Sequence, residues 1–120
     1  MTISDELESF IASAFPSIWA LELLLLLKRE ARACSAEELV DLMRASRSVI
    51  DKALDSLVAA GLAETDGRMA SYLPVSVEVG RLVEETEQLY RSKPNGVRRL
   101  IVISAHKGLA AFSDAFRLKD

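Results

Sequence analysis

The stretch Ser46–Leu73, "SRSVIDKALDSLVAAGLAETDGRMASYL", decides the expected fold of this 120-residue chain. Ser46 has the side chain of a helix N-cap, and apolar residues then recur at the spacing of one helix face. Gly61 is well placed to end that helix in the left-handed conformation, with the next leucine folding back on the helix. The pattern therefore predicts a helix over residues 47–60.

A β-hairpin is expected directly after this helix. Asp66-Gly67 is a strong signal for a two-residue turn, and it lies between the short strand-like segments "LAET" and "RMASYL". Pro74 then closes the second segment, because proline cannot donate a ladder hydrogen bond.

A second helix precedes residues 47–60 at a short distance. Ser35 and Glu38 form the S-x-x-E pattern of a capping box, which predicts a helix over about 36–44. The turn Arg44-Ala45-Ser46 separates the two helices. Two helices joined by a three-residue turn predict a helix-turn-helix.

Further amphipathic or apolar segments lie on both sides of this unit, and they favour helix throughout. The expected additional helices cover residues 4–14, 18–32, 77–91, 94–104 and 106–117. Ser4, Ser17 and Ser76 can cap the first three of them. The helix over 18–32 is apolar nearly all round, so it should be central. We therefore expect a mostly α single domain over residues 1–120.

The segment 35–73, with Pro74, reads "SAEELVDLMRASRSVIDKALDSLVAAGLAETDGRMASYLP". It resembles the winged helix-turn-helix of bacterial transcription regulators of the MarR and ArsR kinds. The resemblance covers about a third of the chain and is carried by the capping box, the ending "LVAAGL" and the hairpin. It implies a winged-helix core over 18–74 with a two-stranded wing, flanked by additional N- and C-terminal helices.

The resemblance also implies a DNA-binding site. Helix 47–60 would be the recognition helix, and its outward side chains would face base edges in duplex DNA. The base-reading residues would be Arg47, Ser48, Asp51 and Lys52, while Arg44 and the hairpin-tip Arg68 would contact the backbone.

The charge of this segment leaves an alternative open. Segment 35–73 has four basic and seven acidic residues, and the whole chain has a net charge of −3. Strong DNA binding usually requires several Lys or Arg groups that neutralise phosphates. Asp51 and Asp55 can accept hydrogen bonds from cytosine amino groups, or they can repel phosphates. The alternative is a winged-helix module that binds a protein partner, since fold does not settle function.

The C-terminal extension over 76–120 is a candidate dimerisation element. Residues 74–90 are acidic and residues 91–120 are basic, so the two blocks can pair within one chain or between two. The candidate dimer or partner contacts are Arg98, Arg99, Leu109, Phe112 and Phe116. The alternatives are that the basic residues form a solvated face and that the apolar ones complete the monomer core.

No pattern of catalytic residues is evident, so we predict that the protein is not an enzyme and holds no cofactor. Cys34 is the only cysteine, and a lone cysteine is more often a buried apolar residue than a redox sensor. His106 has no neighbours at metal-ligand spacing. Trp19 and the leucines that follow it line either the core or a ligand pocket.

The sequence also predicts a cytoplasmic protein without a membrane segment. The apolar run over 18–27 contains Glu22 and is too short to span a bilayer. The first ten residues are acidic, unlike the basic start of a signal peptide. A single cysteine fits a reducing compartment.

Overall fold

The protein is mostly helical, with one small antiparallel sheet. The structure, a computed structural model, describes residues 4–117, with side chains described for residues 4–105. This part of the chain contains six helices and three strands. In chain order they are α1 Asp5–Ala14, α2 Ile18–Glu30, β1 Cys34–Ser35, α3 Ala36–Met43, α4 Arg47–Ala59, β2 Ala63–Thr65, β3 Met69–Tyr72, α5 Val77–Ser92 and α6 Pro94–Arg117.

Serine caps begin five of the six helices, as the sequence predicted. In each case the serine Oγ accepts a hydrogen bond from the backbone N–H three residues later. The caps are Ser4, Ser17, Ser35, Ser46 and Ser76. At α3 the capping box is complete, because Glu38 also accepts from the backbone N–H of Ser35 at 3.0 Å.

Helix α4 ends in the Schellman motif expected at Gly61. Gly61 has φ of +75°, and its N–H donates to the carbonyl of Val58 at 3.1 Å. The N–H of Leu62 donates to the carbonyl of Leu57 at 2.9 Å. These two bonds satisfy carbonyls at the end of the helix and turn the chain toward the sheet.

The hairpin forms where it was expected, but its turn is shifted by one residue. Strands β2 and β3 pair with Thr65 opposite Ala70, and Asp66 donates its N–H to Met69 at 3.2 Å. The two central residues are therefore Gly67 and Arg68, not Asp66 and Gly67. Gly67 has φ of +93° and Arg68 does not lie in the left-handed region, which matches a type II′ turn.

Asp66 stabilises this turn from the position before it. Its Oδ1 accepts from the backbone N–H of Met69 at 2.8 Å and of Arg68 at 2.9 Å. These hydrogen bonds to the ionised form lower the pKa of the Asp66 carboxyl. The aspartate thus acts as an Asx cap of the turn.

The two-stranded hairpin belongs to a three-stranded sheet, because a third strand, β1, which was not predicted, pairs with it. The strand order is β1-β3-β2, and β1 pairs antiparallel with β3 through Cys34 opposite Ala70 and Ser35 opposite Met69. A two-residue strand has too few positions to show a period-2 pattern. Its conformation is stabilised by the pairing with β3, which lies more than thirty residues away in sequence.

Helix α6 corrects the expectation of two separate C-terminal helices over 94–104 and 106–117. The backbone is one helix from Pro94 to Arg117. The segment contains no proline after its first residue, and Gly108 inside a helix costs only about 1 kcal/mol relative to alanine.

Helix α2 is central, as its apolar character predicted. Six of its residues are buried, and it packs against α4, β3 and α6. The outer helices α1, α5 and α6 pack on one another and contribute Ile11, Val83 and Ile101 to the same buried cluster, as does Phe15 directly after α1. Helix α4 and strand β3 are thus attached to the remaining helices through α2.

Replacing Gly61 with alanine should destabilise the protein. An alanine there would hold a left-handed φ and would place its Cβ 3.1 Å from Val75 Cγ1. We expect Gly61→Ala to lower the free energy of unfolding by about 1–2 kcal/mol, measured by urea denaturation. Gly96→Ala is the matched control, since Gly96 is helical and its Cβ would meet only Lys93 Cβ at 3.8 Å. Equal stability of the two variants would contradict the proposed role of Gly61.

Candidate nucleic-acid interface

The N-terminal half of α4 presents its polar residues to solvent. Arg47, Ser48, Asp51 and Lys52 are all exposed, while Ile50, Ala53 and Leu57 on the opposite side are buried. This division follows from the 3.6-residue period of the helix. All four side chains predicted to read bases are therefore accessible to a partner.

A shallow groove of about 340 Å³ lies between α4 and the β2–β3 hairpin. Arg47, Asp51, Asp55 and Arg68 all line it, so the structure brings together side chains that are up to twenty-one residues apart. A second, smaller groove adds Glu37 from the first turn of α3 to Arg47 and Arg68.

The remaining predicted residues do not line these grooves. Ser48 and Lys52 lie on the neighbouring stripe of α4, one residue after Arg47 and Asp51 respectively. Arg44 caps the C-terminal end of α3 with a left-handed φ of +54° and is exposed. Arg44 therefore lies at the turn between the two helices, which is the position the resemblance assigned to it.

Arg47 is paired with carboxylates. Its Nε donates to Asp51 Oδ1 at 3.1 Å, one helical turn away, and its Nη1 lies 3.8 Å from Glu37 Oε2. All three side chains are more than half exposed, so these pairs contribute little to folding stability. Their main effect is to orient the Arg47 side chain and to place negative charge beside it.

The other three cations of the face differ from Arg47. Within the part of the chain that the structure describes, Arg44, Lys52 and Arg68 form no ion pair. They are exposed, so a partner can reach them.

Glu37 and Met69 belong to this surface and were not predicted for it. Glu37 approaches Arg47 because α3 packs against α4, and nothing in the local sequence indicates that approach. Met69 lines both grooves and is 37% exposed at the start of β3. The pairing of Arg47 with Asp51 does have a sequence signal, because oppositely charged residues four apart on a helix are neighbours.

The predicted partner contacts on α6 are described in part. Arg98 is exposed, and its guanidinium carbon lies 5.5 Å from the centroid of the Tyr90 ring, a cation–π contact within the chain. Arg99 is exposed and lines a small apolar groove with Leu89 and Ile103. The side chains of Leu109, Phe112 and Phe116 lie outside the described residues.

A larger groove, about 990 Å³, lies between α2, α5 and the end of α3. Trp19 lines it and is 44% exposed, whereas most of the leucines after Trp19 are buried in the core. Lys28 is held between Glu84 and Glu87, each at 2.8 Å, and these hydrogen bonds raise the pKa of Lys28. The hydroxyl of Tyr90 donates to Glu22. Several polar groups that line this groove thus already have partners inside the protein.

The remaining chemically notable groups offer no evident site. Cys34 is fully buried, and that burial raises the pKa of its thiol. No cluster of three metal-ligating side chains occurs among the described residues, and the His106 side chain lies outside them.

No single described helix is long and apolar enough to cross a membrane. Helices α1 and α2 reach that length and apolar character only when they are taken together, and the angle between them is 101°.

Comparison with known proteins yields no match among protein-family models, curated proteins or solved structures. The function is therefore argued from the geometry of this chain alone.

The thiol of Cys34 should be unreactive in the folded protein. Burial and the raised pKa both suppress the thiolate, which is the reacting form. We expect Ellman's reagent to label the native protein slowly at neutral pH and to label one thiol per chain rapidly in denaturant. Fast labelling of the native protein, at the rate of a free thiol, would contradict the buried position.

Proposed function

We propose that the protein is a winged-helix transcription regulator that binds duplex DNA as a dimer. The observation that carries this proposal is the element order α2-β1-α3-α4-β2-β3, in which an exposed α4 and a β-hairpin flank one groove. This arrangement supports the resemblance to winged helix-turn-helix regulators.

Helix α4 would enter the major groove of DNA, which is wide enough for one α-helix. Arg47, Ser48, Asp51 and Lys52 would then face base edges. Arg44 at the α3–α4 turn and Arg68 at the hairpin tip would lie on the flanks, where phosphates are reached. The exposure of all six side chains supports this assignment.

The C-terminal helix supports a dimer. Val102 and Ile103 on α6 are 54% and 47% exposed, and the sequence continues this apolar character through Leu109, Phe112 and Phe116. A two-fold dimer would present two copies of α4 to half-sites one helical turn of DNA apart.

A second candidate function is docking onto a protein partner. It is favoured by the carboxylates of Asp51 and Asp55, which line the groove with Arg47 and Arg68 and leave it without a net positive charge, and by Glu37 in the adjoining groove. A partner with basic side chains would complement that surface. The two proposals differ at low salt: DNA binding predicts that the free protein binds duplex DNA, and protein docking predicts that it does not.

Lys52 and Arg68 should be required for DNA affinity. We expect Lys52→Ala and Arg68→Ala each to weaken binding to duplex DNA and to reduce the slope of log K against log salt by about 1, because each removes one positive charge from the DNA-facing surface. Fluorescence anisotropy with a fluorescent random-sequence duplex pool, titrated from about 50 mM salt upward, measures both quantities.

Lys93→Ala is the matched control, because Lys93 is an exposed cation at the junction of α5 and α6, whereas α4 packs mainly on α2, α3 and β2. It should leave the affinity and the salt slope unchanged. If wild-type protein fails to bind any duplex at low salt, DNA binding by the free protein is excluded and protein docking becomes the better proposal.

Ile103→Glu should disrupt the dimer. A charge on an exposed apolar residue of α6 would have to be buried in the dimer but stays solvated in the monomer. We expect light scattering to report twice the 13.2 kDa chain mass for the wild type and a mass near the monomer for the variant. Val77→Glu is the control, since Val77 is 91% exposed at the start of α5. A monomeric wild type would contradict the proposal of a dimer.

A further inference from the structure

The ion pair between Arg47 and Asp51 uses a particular edge of the guanidinium group. Asp51 Oδ1 accepts from Nε of Arg47 at 3.1 Å, while the nearest other carboxylate, Glu37, lies 3.8 Å from Nη1 and so beyond hydrogen-bond distance. Among the described residues, the two terminal nitrogens of Arg47 have no hydrogen-bond acceptor. The outer end of the guanidinium remains available.

This geometry restricts how Arg47 can bind a base. An arginine donates two parallel hydrogen bonds either from Nε and one terminal nitrogen or from its two terminal nitrogens. Asp51 occupies Nε, so only the end-on arrangement remains. The O6 and N7 acceptors of guanine in the major groove match two parallel donors of this kind.

We propose that Asp51 is a positioning residue that holds Arg47 end-on toward a guanine, and so determines sequence selectivity at one position of the bound DNA. This inference rests on the proposed DNA-binding function. It gives Asp51 a role in the selectivity of DNA binding and not in its overall affinity. A pre-oriented guanidinium also loses less side-chain freedom when it binds.

Charge repulsion is the competing explanation for Asp51, and it makes a different prediction. Repulsion of phosphate acts on every DNA sequence alike, so removing the carboxylate would tighten all binding uniformly. Loss of positioning would act mainly on sequences that carry the guanine. The two effects separate when the preference for each base is measured together with the overall affinity.

Asp55 provides a matched control for Asp51. It carries the same charge, lies one helical turn further along α4, lines the same groove and is exposed. In the described part of the chain it forms no ion pair with Arg47. Asp55→Ala therefore removes the charge without removing the positioning contact.

The test is selection of duplexes from a random-sequence pool by the full-length protein, followed by anisotropy on the selected sequence and its single-base variants. Wild-type protein should prefer guanine at one position of each half-site. Asp51→Ala should reduce that preference about tenfold, and Arg47→Ala should reduce it equally at the same position. Asp51→Glu, which can still pair with Arg47 at i,i+4, should restore most of the preference.

Asp55→Ala should keep the guanine preference and bind all sequences more tightly. The melting temperature of each variant, followed by circular dichroism, confirms that α4 is intact. If Asp51→Ala behaves like Asp55→Ala, the positioning role is overturned while DNA binding stands. If wild-type protein binds no duplex at low salt, the proposed function fails and this inference fails with it.

Discussion

The reversal of the chain at Gly61 is the constraint on which the candidate interface depends. Its left-handed backbone ends α4, and the two residues at the reversal also accept hydrogen bonds from the chain that returns: Leu73 donates to Leu62 at 3.0 Å and Val75 to Gly61 at 2.8 Å. Both ends of the hairpin are thus fixed to the end of α4. This attachment orients the hairpin so that its tip lies beside the N-terminal half of α4.

The surface that results carries both acidic and basic side chains. Which of its cations are paired with carboxylates decides how strongly it can bind phosphates. Arg47 is engaged by Asp51, whereas Lys52 and Arg68 have no carboxylate partner among the described side chains. A face with few free cations binds phosphates with modest affinity, because affinity grows with the number of counterions released. If such a face binds DNA, its selectivity among sequences has to come from oriented hydrogen bonds to bases. Otherwise its binding has to come from contacts with a protein.

The remaining helices hold α4 and the hairpin in place through packing and polar contacts. Helix α2 contacts α4, β3 and α6, so α4 and the C-terminal helix share one buried cluster. Ion pairs at Lys28 and the Tyr90–Glu22 hydrogen bond further connect α2 to α5. A contact between two copies through α6 would therefore fix the relative position of their α4 helices, which is what half-site spacing on DNA requires.

The sequence by itself determined the local features of this protein. The five serine caps, the Schellman ending at Gly61, the hairpin and the central position of α2 were all predicted, because each depends on residues within a few positions or on helical periodicity. Only the tertiary structure decided that Cys34 and Ser35 pair with β3, that Glu37 approaches Arg47 and that Arg68 lines a groove with Asp55. These contacts join residues distant in sequence, and their geometry is set by packing of the core and not by local preference.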